Sequence, residues 1–386
     1  MSASSTLVLA WCLLGAIAAA IYPIVGYPLV LALIGMVRNR PVRRGRFRPS
    51  VSVLIPAYNE AGCIGATIEN KLGQDYPADR LEILVISDAS EDGTDAIVAG
   101  YADRGVKLLR REKREGKAAA LNEAVSRAAG EIMVFSDANS TFATDTISRL
   151  MENFADPRIG YVTGNLEYGH DGELSGRGSG AYMRYENWLR RLESRVDSVI
   201  GVNGGVDAMR RELYRPVPAS QITDFVLPLR VVAAGMRVIF DERACSREAA
   251  NTELGAEFRM RVRVALRALH GLVHVRAALN PFRRPLPAFC ILSHKVLRYL
   301  SFVFLALALA LNAALAGHSP ALAALLACQV VFYALALAGL SRRLPNAVRK
   351  LTALPTYFVL SNVAFGIAAL RFARGETMAT WKPRAG

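Results

Sequence analysis

The chain has 386 residues, a hydrophobic fraction of 52% and a mean hydropathy of +0.24. Soluble proteins of this length rarely reach such a value, so the composition predicts membrane segments. The net charge of +14 is concentrated beside the apolar runs, where anionic headgroups explain it better than a nucleic-acid partner. Five cysteines without a CxxC pair argue against a disulfide framework and a zinc site.

Four apolar runs are long enough to cross a bilayer. Residues 7–37 carry no charge and lack a charged n-region or cleavage site, so we expect a retained anchor rather than a signal peptide. The other runs lie at residues 297–316, 321–340 and 351–370. The alternative, buried core helices of a large soluble protein, fits these lengths poorly.

Arginines after the first run set the expected orientation. Six of them directly follow it, namely Arg38, Arg40, Arg43, Arg44, Arg46 and Arg48. The positive-inside rule makes that end cytoplasmic and predicts a multi-pass protein of the inner membrane. Four full spans would then place the C-terminus outside, whereas Arg371 and Arg374 favour the cytoplasm. Either residues 7–37 form two short segments, or one later run is interfacial or re-entrant. A cytoplasmic C-terminus would let residues 375–386 fold back near the functional site.

The region between the membrane segments alternates between strand and helix patterns. The predicted strands are 51–55, 81–86, 106–109 and 132–135, and the predicted helices lie around 64–72, 94–101 and 117–129. Such alternation predicts an α/β fold with a mainly parallel sheet, whose carboxyl edge binds ligands. We therefore expect an N-terminal transmembrane segment at 1–40, a cytoplasmic domain at 41–276, and an interfacial helix with further transmembrane segments at 277–386.

Polar side chains follow several of the predicted strands. Glu60 comes after the first, Asp88 after the second, and Asp137 and Asn139 after the fourth, while Lys117 begins a helix. Each alone has a plain explanation, such as a cap, a turn or a surface lysine. Together they predict a ligand site at one sheet edge. Carboxylate and amide oxygens suit Mg²⁺ or Mn²⁺, which usually accompany a phosphate.

With these residues, the stretch 51–142 resembles the nucleotide-binding half of an inverting family 2 glycosyltransferase with the GT-A fold. The matching stretches are 53–60 (VLIPAYNE), 85–94 (VISDASEDGT) and 116–122 (GKAAALN), with 137–139 (DAN) in place of the family's DxD. The membrane layout resembles bacterial polysaccharide synthases, such as hyaluronan, chitin and poly-N-acetylglucosamine synthases. The resemblance therefore implies a GT-A domain with flanking transmembrane helices.

The resemblance also implies donor-binding roles. The residues that would hold the uracil and ribose of a UDP-sugar are Pro56, Tyr58, Glu60 and Asp88. Lys117 would approach the nucleotide, and Asp137 would meet the ribose or the diphosphate-bound Mg²⁺ or Mn²⁺. Asn139 would complete the metal shell. Its neutral amide stands where the family has aspartate, so we expect a weakened site in which Asp137 is the principal acidic group.

The stretch 222–227 (ITDFVL) resembles the family's second acidic motif. There Asp224 would be the general base that takes the proton of the attacking acceptor hydroxyl. The simpler interpretation makes Asp224 an N-cap for the following helix. Upstream, the glycine-rich stretch 201–211 fits the family's acceptor-side loop.

One departure concerns the acceptor. Processive synthases carry a Gln-x-x-Arg-Trp motif near the membrane, and the nearest match here is 258–262 (FRMRV). Arg261 would retain a phosphate contact, but the glutamine and tryptophan are absent. Trp188 is a candidate for stacking on the acceptor, with a packed core tryptophan as the alternative. Residues 258–273 form a basic amphipathic helix, expected either in the headgroup plane or solvated on the domain.

The sequence thus predicts transfer of a sugar from a UDP-sugar to a glycan or lipid-linked acceptor, in exopolysaccharide or cell-envelope glycan synthesis. Two alternatives remain open. One is a ceramide- or diacylglycerol-type glycosyltransferase that adds a single sugar to a membrane lipid. The other is a non-catalytic membrane subunit that binds a nucleotide.

Overall fold

The computed structural model describes residues 2–168, 174–248, 254–276, 280–341 and 345–378. Its strands are β1 Val51–Ala57, β2 Leu81–Ser87, β3 Val106–Arg110, β4 Ile132–Ser136, β5 Thr141–Phe142, β6 Ile159–Tyr168, β7 Val206–Arg210 and β8 Arg237–Glu248. They form one sheet in the order β3-β2-β1-β4-β7-β6-β8-β5. Four of the seven pairings are parallel, and they include the predicted β3-β2-β1-β4 half. The mainly parallel α/β sheet is therefore confirmed, although its second half is mixed.

The helices lie on both faces of the sheet and beyond it. In the domain they are α3 Ile64–Leu72, α4 Thr94–Ala99, α5 Lys117–Arg127, α6 Thr146–Glu152, α7 Leu174–Val196, α8 Thr223–Ala233 and α9 Leu254–His274. Outside it are α1 Ala3–Ile21, α2 Tyr27–Val37, α10 Pro285–Ile291, α11 Leu297–Tyr299, α12 Ser301–Leu315, α13 Pro320–Ala338 and α14 Asn346–Ala373.

The sequence predicts that the first strand stops before Pro56, but in the structure the strand continues through Pro56 to Ala57. Pairing with β4 stops at Leu54, and the strand then continues beside β2 alone as far as Ala57. Proline lacks an N–H but is tolerated where one side of a strand is unpaired. The strand, and with it the polar loop that follows, therefore extends two residues beyond the predicted end at Ile55.

Four helices of the described chain are long and apolar enough to cross a membrane: Ser4–Val37, Ser301–His318, Pro320–Ala338 and Lys350–Ala373. The first contains a five-residue π-helical turn at Tyr22–Gly26, which includes Pro23, and a proline within a helix commonly causes such an irregularity. Its N-terminal half packs on α12 and its C-terminal half on α7. The core accordingly crosses the expected boundary at residue 40, because Tyr27 and Leu31 belong to the same buried cluster as Leu54.

The last apolar helix lies along the domain rather than apart from it. Arg261 of α9 packs on Tyr357 of α14, and His270 packs on Phe372. The backbone carbonyl of Glu376 lies 2.9 Å from His270 Nε2. This side-by-side packing keeps residues 376–378 beside the domain. The end of the segment expected to fold back, residues 379–386, lies outside the described residues.

The amphipathic helix α9 uses its apolar face within the protein. Val262, Ala265, Leu266 and Leu272 are buried, and α9 packs mainly on α14 and α8. Its apolar stripe is therefore largely covered by other helices.

Candidate active site

The loops after β1 and β2 are tied to each other. Asn59 and Ala89 have positive φ of 53° and 61°, an uncommon conformation for residues other than glycine. Asp92 accepts from the backbone N–H of Ala61 at 2.9 Å and from Thr94 Oγ1 at 2.5 Å. Glu60 joins the same network, since its N–H donates to Thr94 Oγ1 at 2.9 Å. The two predicted nucleotide-binding loops thus form one rigid rim.

Asp88 is fully buried and organises the next loop. It accepts from Arg111 at 2.8 Å and from the backbone N–H groups of Glu115 and Gly116 at 3.1 and 2.8 Å. These bonds fix the residues that lead into α5, which begins at Lys117 as predicted. A carboxylate has about four acceptor positions, so Asp88 has capacity for one further donor.

Tyr58 contributes an aromatic face at the same edge. The guanidinium carbon of Arg114 lies 3.6 Å from the centre of its ring, within the range of a cation–π contact. Arg114 thus covers the aromatic ring that the sequence associates with the base of the nucleotide.

Lys117 connects the two carboxylates that the sequence singles out. Its Nζ lies 2.5 Å from Asp137 Oδ1 and 3.8 Å from Asp224 Oδ2. Burial alone would lower the pKa of Lys117, but the charges of Asp137 and Asp224 outweigh it and raise that pKa. The structure therefore brings together Lys117, Asp137 and Asp224 from three distant parts of the chain.

Asp224 lies in the first turn of α8, whose N-cap is Ile222. The N-cap interpretation of Asp224 is therefore wrong, although the position is still favoured by the helix dipole. Its Oδ1 accepts from Thr223 Oγ1 at 3.0 Å. A side-chain exposure of 24% leaves the carboxylate accessible to an acceptor.

The glycine-rich loop before β7 closes the site from the other side. Gly204 has φ +83°, and a Cβ there would collide with the Asp224 carboxylate. A Cβ on Gly205 would come within 2.5 Å of Glu248 Oε1. Both glycines are thus required for the loop to pass close to the carboxylates.

Asp207 is a site residue that the sequence analysis did not single out. It is fully buried and accepts from Tyr161 at 2.9 Å and from the N–H of Gly204 at 2.8 Å. Burial and the charge of Asp224 raise the pKa of Asp207 to about 7. Its place within the glycine-rich stretch 201–211, three residues after Gly204, was the available signal.

Helix α3 holds the loop that carries Asp137 and Asn139. Thr67 donates to the carbonyl of Ala138 at 2.6 Å, and Lys71 donates to the carbonyl of Ser140 at 2.6 Å. Asn70 exchanges two 2.8 Å bonds with the backbone of Phe142. Lys71 has no exposed surface, and burial lowers its pKa to about 7.

The side-chain oxygens of Asp137 and Asn139 fit a divalent cation that is held mainly by the phosphates of a bound substrate. No group of three His, Cys, Asp or Glu side chains suited to a metal occurs within the described ranges. Mg²⁺ is commonly held by one or two carboxylates together with substrate phosphates. Asp137 is 35% exposed, and among described residues the amide of Asn139 has no hydrogen-bond partner. Buried Glu248, bonded to Ser140, lies behind them.

Two other candidates lie elsewhere. Arg261 on α9 donates to Glu257 at 2.7 Å and to Tyr357 of α14, so these contacts tie the domain to an apolar helix. Trp188 on α7 is 42% exposed. The core alternative for this tryptophan is therefore wrong.

Comparison with known families identifies the domain. Residues 52–216 match the family model described as glycosyl transferase family 2. The chain contains a family 2 glycosyltransferase domain. The fold of this domain is GT-A, as the sequence motifs predict.

Curated relatives share this domain over part of their length. The β-monoglucosyldiacylglycerol synthase of Synechocystis sp. is 29% identical over 167 residues, 42% of this chain and 33% of that protein. The poly-β-1,6-N-acetyl-D-glucosamine synthase of Staphylococcus epidermidis is 26% identical over 170 residues, 43% of this chain and 41% of that protein. In each case the chain matches less than half of the relative's length.

One solved structure resembles nearly the whole chain. The mannosyltransferase PcManGT of Pyrobaculum calidifontis, solved with GDP-Man and Mn²⁺, covers 95% of this chain and 99% of its own. The TM-score is 0.73 at 26% sequence identity. The likeness therefore includes the apolar helices as well as the sheet.

Proposed function

We propose that the protein is an inverting glycosyltransferase that moves a sugar from a nucleotide diphosphate to a lipid-linked or glycan acceptor at the cytoplasmic face of the inner membrane. The observation that carries the proposal is the meeting of Lys117 with Asp137 at 2.5 Å and Asp224 at 3.8 Å. A single displacement at a sugar carbon requires a base for the acceptor hydroxyl and groups that stabilise the leaving diphosphate. The accessible carboxylate of Asp224 suits the first task, and Lys117 and Asp137 suit the second.

The proposed reaction follows from these positions. Asp224 takes the proton of the acceptor hydroxyl as its oxygen bonds to the anomeric carbon of the donor. The bond from that carbon to the diphosphate oxygen breaks, and the electron pair leaves with the diphosphate. Lys117 holds positive charge beside Asp137. Attack from the side opposite the leaving group inverts the anomeric carbon.

Asp137 and Asn139 would hold a divalent cation. Bound there with the donor, Mg²⁺ or Mn²⁺ would neutralise charge on the diphosphate leaving group. The Mn²⁺ bound by the similar mannosyltransferase supports this part of the proposal. We expect Asp137→Ala to weaken donor use more than Asn139→Ala, because a carboxylate contributes charge and an amide does not.

For the donor we propose a UDP-sugar, with Tyr58, Glu60 and Asp88 at the base and ribose. GDP-mannose is the second candidate, because the full-length structural neighbour is a mannosyltransferase bound to GDP-Man. The missing glutamine and tryptophan favour addition of one sugar to a lipid-linked acceptor over processive synthesis. The paired carboxylates argue against a non-catalytic subunit.

The test is a donor screen with the purified full chain in lipid nanodiscs. Release of UDP or GDP is measured with a panel of UDP-sugars and GDP-mannose, with and without EDTA, and products are weighed by mass spectrometry. The proposal predicts metal-dependent release with one donor class and a single-sugar adduct. GDP release would select the second donor, and a ladder of products would select a polymerase. Donor binding without turnover would support the non-catalytic alternative.

A further inference from the structure

Helix α9 carries a buried arginine that the sequence motifs did not single out. Arg267 is only 6% exposed, although arginine is among the residues least often buried in proteins. It lies six residues after Arg261, the position expected to contact a phosphate. With 3.6 residues per turn, that separation puts the two arginines on different faces of α9. Arg261 meets Tyr357 of α14, whereas Arg267 faces the domain.

The face of α9 that contains Arg267 packs on α8. Gly271, one turn further along α9, shares this face. A Cβ on Gly271 would lie 3.0 Å from Val226 and 3.1 Å from Phe225, so the two helices are in close contact there. Phe225 directly follows Asp224 in α8. The packing of α9 on α8 therefore brings Arg267 beside the start of α8.

Arg267 bonds to the backbone just before α8. Its Nη2 donates to the carbonyl of Ala219 at 3.2 Å and to the carbonyl of Gln221. Within the described residues its guanidinium forms no close ion pair, so its hydrogen bonds all go to this one loop. Gln221 lies three residues before Asp224. One buried cation therefore holds two carbonyls of the segment that leads into the proposed base.

The other end of this loop is held by α5. Asn122 accepts from the N–H of Val217 at 2.9 Å and donates to the carbonyl of the same residue at 2.9 Å. Helix α5 begins at Lys117, whose ammonium lies 3.8 Å from Asp224. The loop 217–221 is thus attached at one end to the helix that carries Lys117 and at the other to the guanidinium on α9. These two attachments fix where α8 begins.

The charge of Arg267 also acts on Asp224. Burial lowers the pKa of the Arg267 guanidinium to about 10, Arg263 lowers it further, and the charge of Asp224 opposes both. Arg267 therefore remains a cation at neutral pH, and opposite charges attract. The hydrogen bonds and the charge both link the region of Asp224 to α9.

We propose that Arg267 is a positioning residue for the transfer: by holding the loop 217–221 it keeps the Asp224 carboxylate where it can take the proton of the acceptor hydroxyl. This inference rests on the proposed function, because it assigns a role in that reaction. Arg267 acts through the loop and neither gains nor loses a proton itself. A displacement of about 1 Å can lower the rate of a reaction about 10²-fold, so loss of the attachment has a measurable effect.

The test is a double-mutant cycle between Arg267 and Asp224 in lipid nanodiscs, using the full chain and the donor found in the screen. Arg267→Ala and Arg267→Lys are made in the parent protein and in Asp224→Asn. Turnover is counted per donor-binding site, so that loss of folded protein does not contribute. In the parent, Arg267→Ala is expected to lower kcat about 10–100-fold and to change the donor Kd less than about threefold. In Asp224→Asn neither substitution should lower the residual turnover further, because residues that act as a unit are not additive.

Arg267→Lys keeps the charge and removes the Nε N–H, which is buried without a partner among the described residues. We expect this variant to fold and to retain more turnover than Arg267→Ala. Its turnover should stay below that of the parent, because an ammonium lacks the planar fork of a guanidinium. Arg276→Ala is the matched control. Arg276 is an exposed arginine just after α9, and its removal is expected to change neither turnover nor donor affinity.

Turnover of Arg267→Ala within about threefold of the parent, far less than the effect of misplacement, would overturn the inference. So would a further loss when Arg267→Lys is added to Asp224→Asn, because a general structural defect acts whether or not the base is present. This second comparison decides alone if Arg267→Ala does not fold. A loss of donor affinity that equals the loss of turnover would also overturn the inference and assign Arg267 to donor binding. Additive losses in an active protein reject this inference alone, whereas a parent protein that binds no donor rejects the proposed function.

Discussion

Asp207 shows how one buried carboxylate supports the residues that react. Its oxygen accepts from the N–H of Gly204, and Gly204 lies against both Lys117 and Asp224. Since neither carboxylate lies in bulk water, the charge of Asp224 disfavours ionisation of Asp207. We infer that Asp207 positions the glycine-rich loop.

The raised pKa of Asp207 predicts a pH effect on stability. Its pKa is about 7 in the folded chain against an ordinary 3.8. Protonated Asp207 stabilises the fold fully below about pH 4, and this contribution is lost as the pH rises to about 7. Asp207→Asn does not titrate, so its stability relative to the parent should rise between pH 5 and 8, by up to about 3 kcal/mol. Thermal unfolding of both proteins across this range measures it. Parallel curves would contradict the assignment.

At the scale of elements, helix α3 determines the geometry of the metal-binding loop. Thr67, Asn70 and Lys71 hold three alternate residues of the chain between positions 138 and 142. The helix itself was predictable from the spacing of Ile64, Ile68 and Leu72. Its polar contacts were not, because they depend on which strand end packs beside it.

Removal of Asn70 tests this dependence. Asn70→Ala leaves a buried N–H and C=O of Phe142 without partners, which should cost about 2–3 kcal/mol of unfolding free energy and raise the KM for the donor. Glu69→Ala is the matched control, since Glu69 is an exposed neighbour that bonds to exposed Arg104 and to Tyr101 and does not contact the metal-binding loop in the described contacts. Thermal unfolding and donor kinetics provide the readouts. Identical behaviour of the two variants would refute the role of α3.

The sequence predicts the sheet and the donor edge better than the acceptor side. Periodicity and strand-end residues such as Asp88 and Asp137 are local signals, and the structure confirms the elements that carry them. Glu248 and Lys71 gave no signal, because their roles arise from tertiary packing alone. The prediction that Pro56 ends the first strand was wrong for the same reason. A proline is tolerated there because pairing between β1 and β4 stops at Leu54, which the sequence does not reveal.

At the scale of the whole molecule, Glu193 joins the domain to both membrane regions. It accepts from Tyr27 of α2 at 2.8 Å, from Ile200 N–H at 2.9 Å and lies 2.7 Å from His294. The domain therefore cannot separate from the apolar helices without unpairing the buried Glu193 carboxylate.

Loss of Glu193 should destabilise the whole chain. Glu193→Ala leaves three buried groups unpaired and should cost about 3–5 kcal/mol, the usual effect of breaking a buried pair. Glu167→Ala, which removes an exposed partner of Arg247, should cost less than about 1 kcal/mol. Thermal unfolding monitored by size-exclusion chromatography compares them. A Glu193→Ala protein as stable as the control would show that domain and membrane regions are independent.

The most direct measurement of the central claim is turnover by Asp224→Asn in lipid nanodiscs, using the donor found in the screen. The substitution keeps the shape of the side chain but removes the base, so turnover should fall about 10²–10⁴-fold while donor affinity stays within a few-fold. Turnover equal to that of the parent enzyme would contradict the assignment of Asp224 and the reaction proposed here.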